Sequence, residues 1–429
     1  MSAALRRWLH RRQRPLRYAH LDQLLRTQAL SQAELLRKRC EDLAAIVRAA
    51  AAQTPYYAKA LAPVLAKDGG WSIGDLPILR KDNVRQRLDD LLARDAEREK
   101  VGIGHTGGST GQPLAFWYDE AKHELMRAGM MRSYMMAGWR PGQKVLNFWG
   151  ARQDTVAGGV FGAGWSDFIA AERTIPAHEF EAATLRAWAN EIRAYRPVLL
   201  QGYASILTAL ARHVADNGIV MPTTLIGVYS TAEVLEQWQR ELMERAFGCK
   251  VFNQYGSREV PNIACECRHG NMHVFTDMVW LESLPGDRLL VTSLTNRLMP
   301  FVRYDIGDSG RLKDGECPCG SPFPLMEMGM CRHNDMIRTP NGRSVHPSYF
   351  NRLLYGMTQI EQYQFVQEAP DRIVLRIVAP TPLEARTTDA LAESIRRDVD
   401  PSVQFSVSYA ESIERTVSGK HRFVISRCA

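Results

Sequence analysis

The chain has 429 residues, 45% of them hydrophobic and 24% charged, which fits two or three globular domains and excludes collagen-like, coiled-coil and wholly disordered classes. Lys and Arg number 54 against 47 Asp and Glu, a net charge of +7; so mild a surplus, without a lysine-rich tail, gives no reason to expect nucleic-acid binding. There is no apolar run of about 18 residues, so no transmembrane segment is expected, and the arginine-dense start lacks the apolar stretch of a secretory signal, which leaves a cytoplasmic protein as the expectation.

Taken in chain order, residues 1–17 carry six arginines and no acid. Beside Trp8 and Leu9 they read first as a solvated helical face, and second as a basic helix lying on an anionic membrane or partner. From 21 to 62 apolar residues recur at three and four positions, the spacing of helices, ended by the Thr54-Pro55 pair. The segment 1–70 is therefore expected to be a helical cap that forms part of the large domain. After the apolar run 76–79, short apolar runs at 144–149, 197–203, 225–230 and 250–256 alternate with helical stretches such as 123–136 and 206–217. That is the rhythm of βαβ crossovers, so the body, 71–331, is expected to be α/β. Further on, 362–367 and 371–379 alternate like a hairpin around Ala369-Pro370, 383–399 reads helical and 402–410 reads as a strand. A small C-terminal α+β lid over 332–429 is expected.

The sharpest local feature is the stretch Thr106, Gly107, Gly108, Ser109, Thr110, Gly111, Gln112, Pro113. Its glycines permit a turn whose N–H groups converge on an anion, and the hydroxyls add donors. It differs from the lysine-bearing P-loop, because no lysine follows it. An ordinary polar surface loop is the other reading of such a cluster. This stretch resembles the phosphate loop of the adenylate-forming superfamily, in its phenylacetate-CoA ligase-like and capsule-locus branch. Further resemblances follow in order. Residues 253–259 are similar to the family's Tyr-Gly-x-x-Glu segment, in which Tyr255 with Gly256 would lie against adenine and Glu259 would hold magnesium. Residues 303–308 are similar to the segment whose aspartate, here Asp308, contacts the ribose. Arg332 falls on the nucleotide-contacting arginine of the hinge, and Lys420 on the adenylation lysine of the terminal segment. Residues 227–233 resemble the turn that frames the adenine, with Glu233 at its end.

The chemistry implied by the resemblance needs these residue types. Attack of a carboxylate on the α-phosphate of ATP brings two anions together, so cations, N–H donors and Mg²⁺ are required. Lys420 would act as a point charge, while Arg332 would form forked hydrogen bonds. The product is an acyl-adenylate, with pyrophosphate released. Its acyl group would pass to CoA, with an amine acceptor as the alternative and a non-catalytic nucleotide-binding relative as a reading of another class. The partners implied are a small carboxylic acid, ATP and the acceptor; a homodimer is one assembly considered. Asn334 and Cys331 depart from the family's aspartate and glycine at the hinge, so thioester formation rests on weaker ground than adenylation. Phe148, Trp149, Trp165, Tyr203 and Tyr229 are candidates both for the walls of the acid pocket and for the core.

Four further residues suggest a metal. Thiolates and a neutral imidazole are preferred zinc ligands, and four of them with no open position make a structural site. Cys267, His273, Cys317 and Cys319 are the proposed set for structural Zn²⁺, with Cys265 as a substitute for Cys267 and reduced thiols without metal as the other reading. The phenylacetate-CoA ligase-like branch includes members with a similar pattern.

Overall fold

Local capping chemistry builds the N-terminal helices. Ser31 opens the 22-residue helix Gln32–Gln53 with a capping box: its hydroxyl accepts the N–H of Glu34 at 3.3 Å, and Glu34 accepts the N–H of Ser31 at 2.9 Å. Pro55 has no N–H to continue that helix, so it starts the next one, Pro55–Ala60, and Thr54 caps it by accepting the N–H of Tyr57 at 3.3 Å. Tyr57 is fully buried, and its hydroxyl accepts the N–H of Val302 at 2.9 Å. The expected helix break is thus also an anchor into the body.

The computed structural model describes all residues except 107–113, 151–164, 178, 234, 236, 286, 329–336, 346, 355–356, 358, 361, 414–423 and 429. The chain divides into two units. The first comprises Met1–Thr106, Leu114–Gln143 and Phe252–Cys331; the second comprises Gly107–Pro113, Lys144–Val251 and Arg332–Ala429.

In the first unit the strands Val279–Leu284, Arg288–Ser293, Tyr304–Lys313 and Leu325–Met328 pair in sequence order, all antiparallel. The sheet continues through Met272–Val274 and Ala264–Glu266 to the end of Lys250–Tyr255. A separate hairpin joins Gly102–His105 to Ala115–Tyr118. Next to it the Thr106 N–H donates to the Leu114 carbonyl at 2.9 Å, while Thr106 Oγ1 accepts the Leu114 N–H at 3.0 Å. The helix Glu120–Met136 starts at Asp119, whose carboxylate accepts the Lys122 N–H at 2.7 Å. Two ion pairs on this helix are buried. Glu124 receives both Arg17 Nε at 2.8 Å and Arg17 Nη2 at 3.0 Å, and Arg132 pairs with Asp277 at 2.5 Å. The basic N-terminus is therefore solvated only in part: Trp8 is half exposed, whereas Arg17 is buried. The partner that buries it lies on a helix more than 100 positions away, which local charge pattern does not reveal.

The second unit holds the parallel sheet expected from the βαβ rhythm, in the order Glu172–Pro176, Val145–Trp149, Leu199–Tyr203, Gly227–Thr231. Leu146, Phe148, Leu200 and Val228 from its strands pack with Trp188, Leu207 and Leu210 from the crossover helices. The same unit contains an α+β body near the C-terminus. Its hairpin, Gln362–Ala369 with Arg372–Val378, is flanked on both sides by parallel strands, Gln404–Tyr409 and Val424–Ser426. The helix Ala385–Asp398 closes it with Leu391 and Ile395, against Phe365, Ile373 and Leu375. A short strand, Ser344–Val345, pairs with Glu179–Phe180. The mixed α/β class with a smaller C-terminal body is as the sequence predicts.

Candidate functional site

The Tyr-Gly-x-x-Glu segment follows the strand Lys250–Tyr255 and turns tightly. Ser257 N–H donates to the Val260 carbonyl at 2.9 Å, and Ser257 Oγ accepts the Val260 N–H at 3.0 Å. Gly256 permits this turn: a Cβ there would lie 2.8 Å from the backbone nitrogen of Asn262, a contact that only displacement of the main chain would relieve.

Three sequence-predicted residues lie inside the first unit, two of them bonded to each other and the third to a neighbour in the Asp308 strand. The Tyr255 hydroxyl donates to Asp308 Oδ2 at 3.1 Å. Glu259 is buried; its Oε1 accepts the hydroxyl of Tyr304 at 3.1 Å, and its Oε2 is buried with no hydrogen-bond partner among the described residues. A buried carboxylate oxygen left in that state carries a full desolvation cost unless a cation completes it, so the donor set fits a hard metal ion. Asp305, in the same motif as Asp308, is already engaged by Arg288 at 2.6 Å, and the positive φ of Gly307, 78°, turns the chain between the two acids. Asp308 is left half-buried, with Tyr255 as a neighbour.

Sequence reasoning missed the groups that hold this segment. Lys122, on the helix Glu120–Met136, donates from Nζ to the Glu259 carbonyl at 3.0 Å and lies 4.4 Å from the centre of the Phe116 ring. Burial pushes its ammonium down, and the charges of Glu259 and Asp119 counter this only partly, leaving it at about 8. Arg258 donates to the His105 carbonyl at 2.9 Å, tying the segment to the strand that leads into Thr106. Burial, and then the Arg258 charge, hold His105 below the usual histidine range. No motif or spacing singles out Lys122; its role appears only once the fold joins 122 to 259.

Glu233 lies in the second unit, where its Oε2 accepts the N–H of Ser205 at 2.8 Å at the start of the helix Ala204–Asp216. Gly107, Gly108, Ser109, Thr110, Gly111, Arg332 and Lys420 lie outside the described residues, as do Cys331 and Asn334. Of the aromatic candidates, Phe148 is core: it is wholly buried, with its ring 5.2 Å from that of Trp188. Tyr229 is also wholly buried, and Tyr203 packs edge-on to Trp149 at 5.0 Å. The side chain of Trp165 is outside the described set.

The cysteine cluster is assembled from two hairpins of the antiparallel sheet. Ligand atoms of Cys267, His273, Cys317 and Cys319 all lie within 4.8 Å of one another. Cys267 Sγ is 3.5 Å from Cys317 Sγ, and Cys319 Sγ is 3.3 Å from His273 Nε2. With metal bonds of about 2.3 Å to sulfur and about 2.0 Å to nitrogen, a tetrahedral site has ligand separations of about 3.5 to 3.8 Å. These two edges are close to that figure. His273 Nδ1 faces the Phe323 carbonyl at 3.1 Å, which fixes the tautomer that leaves Nε2 free to bind metal. Cys265 is buried beside this group, with its Sγ against the Glu266 carbonyl at 3.5 Å.

Comparison with known proteins agrees with this architecture. Among solved structures, 2-hydroxyisobutyryl-CoA ligase in complex with 2-HIB-AMP and CoA superposes with a TM-score of 0.63 at 17% identity, over 94% of this chain and 91% of that one. The fold is that of the adenylate-forming enzymes. In sequence, the chain is 24% identical over 381 residues to protein CapK of Staphylococcus aureus, covering 83% of this chain and 80% of that protein. It is 25% identical over 311 residues to the phenylacetate-coenzyme A ligase of Thermus thermophilus, covering 68% of each. Residues 337–427 match the CapK C-terminal domain family. Over most of its length the chain is thus similar to CapK and to phenylacetate-coenzyme A ligases.

Proposed function

We propose that this protein activates a carboxylic acid with ATP and passes the acyl group to the thiol of CoA. A carboxylate oxygen bonds to the α-phosphorus while the bond to pyrophosphate breaks; the thiol sulfur then bonds to the acyl carbon, AMP leaves, and the thiol proton is lost. The observation that carries this reading is Glu259, buried with one oxygen on the Tyr304 hydroxyl and the other without a partner among the described residues, in the segment whose Tyr255 bonds Asp308. The sequence relationship to phenylacetate-CoA ligases supports the same chemistry.

In this reading Tyr255 and Gly256 face the adenine, Asp308 accepts from the ribose hydroxyls, and Glu259 holds Mg²⁺, which would neutralise charge building on the phosphates. Lys122 keeps the Glu259 segment in place from behind. Thr106, the glycines 107, 108 and 111, Ser109 and Thr110 cradle phosphates; Glu233 and Arg332 fix the nucleoside; and Lys420 supplies the cation at the reacting centre. Cys267, His273, Cys317 and Cys319 hold a structural Zn²⁺ that has no open position for catalysis. Among the described residues no helix is long and apolar enough to cross a membrane.

The test is acid-dependent exchange of labelled pyrophosphate into ATP, run over aryl, aliphatic and amino acids with Mg²⁺, then with CoA or amines as acceptors. Exchange with one acid class, lost in Lys420→Ala while the fold persists, is the expected result. Undiminished exchange in Lys420→Ala would overturn the assignment of that lysine, and absence of ATP binding by the wild type would overturn the reading as a whole.

A further inference from the structure

The helix Ala3–Gln13 is held to the first unit along one side. His10 is buried there, its Nδ1 facing the Tyr18 hydroxyl at 3.1 Å, and the Ala3 carbonyl lies against Gly142. The opposite side is turned to solvent. Leu5 and Trp8 stand three positions apart on it and Arg12 four further on, so the helical period places them on one face. Leu5 is 46% and Trp8 49% exposed. Folding therefore leaves much of two large apolar side chains in water, and the free energy of covering them stays available to a partner.

The charge around these residues has one sign. Residues 1–17 hold six arginines and no acid. Arg11 pairs with Asp22, and Arg14 and Arg17 pair with Glu124. Arg7 and Arg12 are exposed and pair with no acid among the described residues. The Arg12 guanidinium lies 4.0 Å from the centre of the Trp8 ring, so cation and aromatic surface are presented together. An acidic polymer would satisfy the arginines and leave Leu5 and Trp8 in water, while a second copy of this face would set arginine against arginine. An anionic bilayer meets both demands: its phosphates accept from guanidinium groups, and the zone beneath them covers the apolar side chains. We propose that this face docks the protein on an anionic lipid surface. The helix lies in the interface with Leu5 and Trp8 dipping below the headgroups, while Arg12 reaches back to them along its stem and Arg7 bonds them from the flank.

Flotation of the full chain with lipid vesicles tests this, using phosphatidylcholine mixed with phosphatidylglycerol against phosphatidylcholine alone. Binding to the mixed vesicles is expected to be at least about tenfold tighter than to the neutral ones, at about fivefold for each arginine near the surface, and to weaken as salt is raised. Two double variants separate the contributions. Arg7→Gln with Arg12→Gln removes the charge, and Leu5→Ser with Trp8→Ser removes the apolar stripe; each is expected to weaken binding to the mixed vesicles about tenfold or more. All four side chains are exposed, so the thermal unfolding of both variants should match that of wild type. Equal binding to the two kinds of vesicle, or none to either, would overturn the inference. Binding untouched by the serine pair would overturn it as well, since arginines acting alone mark a site for an acidic polymer. So would a dimer of the wild type that the serine pair dissolves, which would make the face a contact between copies.

Discussion

Glu259 holds the most consequential atom of the site, an oxygen taken out of water and given no partner among the described residues. Its partner oxygen is satisfied by Tyr304, and its backbone by Lys122. Glu259→Gln keeps the shape and the Tyr304 contact but removes the charge a divalent ion would need. We predict a loss of at least about 100-fold in acid-dependent pyrophosphate exchange, the scale seen when one electrostatic group is removed from a reacting centre, together with a higher Mg²⁺ requirement. Wild-type exchange at wild-type Mg²⁺ would show that the carboxylate has only a packing role. At this scale the sequence was legible where chemistry repeats a motif: Tyr255, Glu259 and Asp308 stand at the positions the resemblance marks, and two hydrogen bonds now connect that set to its neighbours. Lys122 was illegible, because a lysine on a helix is usually a solvated one, and only the packing of that helix behind residue 259 gives it another task.

At the scale of elements, the helix Glu120–Met136 is joined to the N-terminal helices by the Arg17–Glu124 pair, with 3% of Arg17 exposed. Burial pushes the Glu124 carboxyl up, but hydrogen bonds from His123 and Arg17 and the charges of Arg17 and Arg14 outweigh it and hold the group at about 2. Glu124→Ala would leave the guanidinium buried without its counter-charge, and we predict a loss of about 3–5 kcal/mol, read from the denaturant midpoint. Because the folded value lies below the unfolded one, the contribution is complete above about pH 5 and fades as the pH falls toward about 2. The stability gap between wild type and Glu124→Gln should therefore be constant near neutrality and narrow in acid; a gap that widens in acid would contradict the assignment. The parallel strands were legible as apolar runs and the long helices by their period. The C-terminal antiparallel hairpin was legible too, but most antiparallel strands of the first unit were not. Ala264–Glu266 is buried at all three positions, and Tyr304–Lys313 does not alternate strictly, so neither carries the period-two signature that marks a strand in sequence.

At the scale of the whole molecule, the cysteine–histidine cluster ties the turn between Ala264–Glu266 and Met272–Val274 to the connection leading into Leu325–Met328. Zinc there would fasten the sheet that also carries Asp308. We predict about one zinc per chain, lost in the double variant Cys317→Ser, Cys319→Ser, and a fall of about 5 °C or more in melting temperature when wild type is stripped by a chelator, corresponding to roughly 1–2 kcal/mol in a domain of this size. Purified wild type without stoichiometric zinc, or a melting temperature indifferent to the chelator, would remove the metal from the account. The grouping of these four residues was legible from ligand chemistry alone, because zinc restricts which side chains can serve it.

The order of strands in the first unit also bears on how the chain reaches its fold. From Val279–Leu284 through Leu325–Met328, each strand pairs with the next in sequence, so every closure spans a short loop and costs little chain entropy. The parallel strands of the second unit meet only after an intervening helix has been placed between them. A newly diluted chain is therefore expected to protect the amides of 279–328 before those of 145–231, which pulsed hydrogen exchange would resolve; protection in the reverse order would mean that the crossover helices, not the meander, seed assembly. On this account the surface that presents Asp308 is among the first parts of the molecule to take shape.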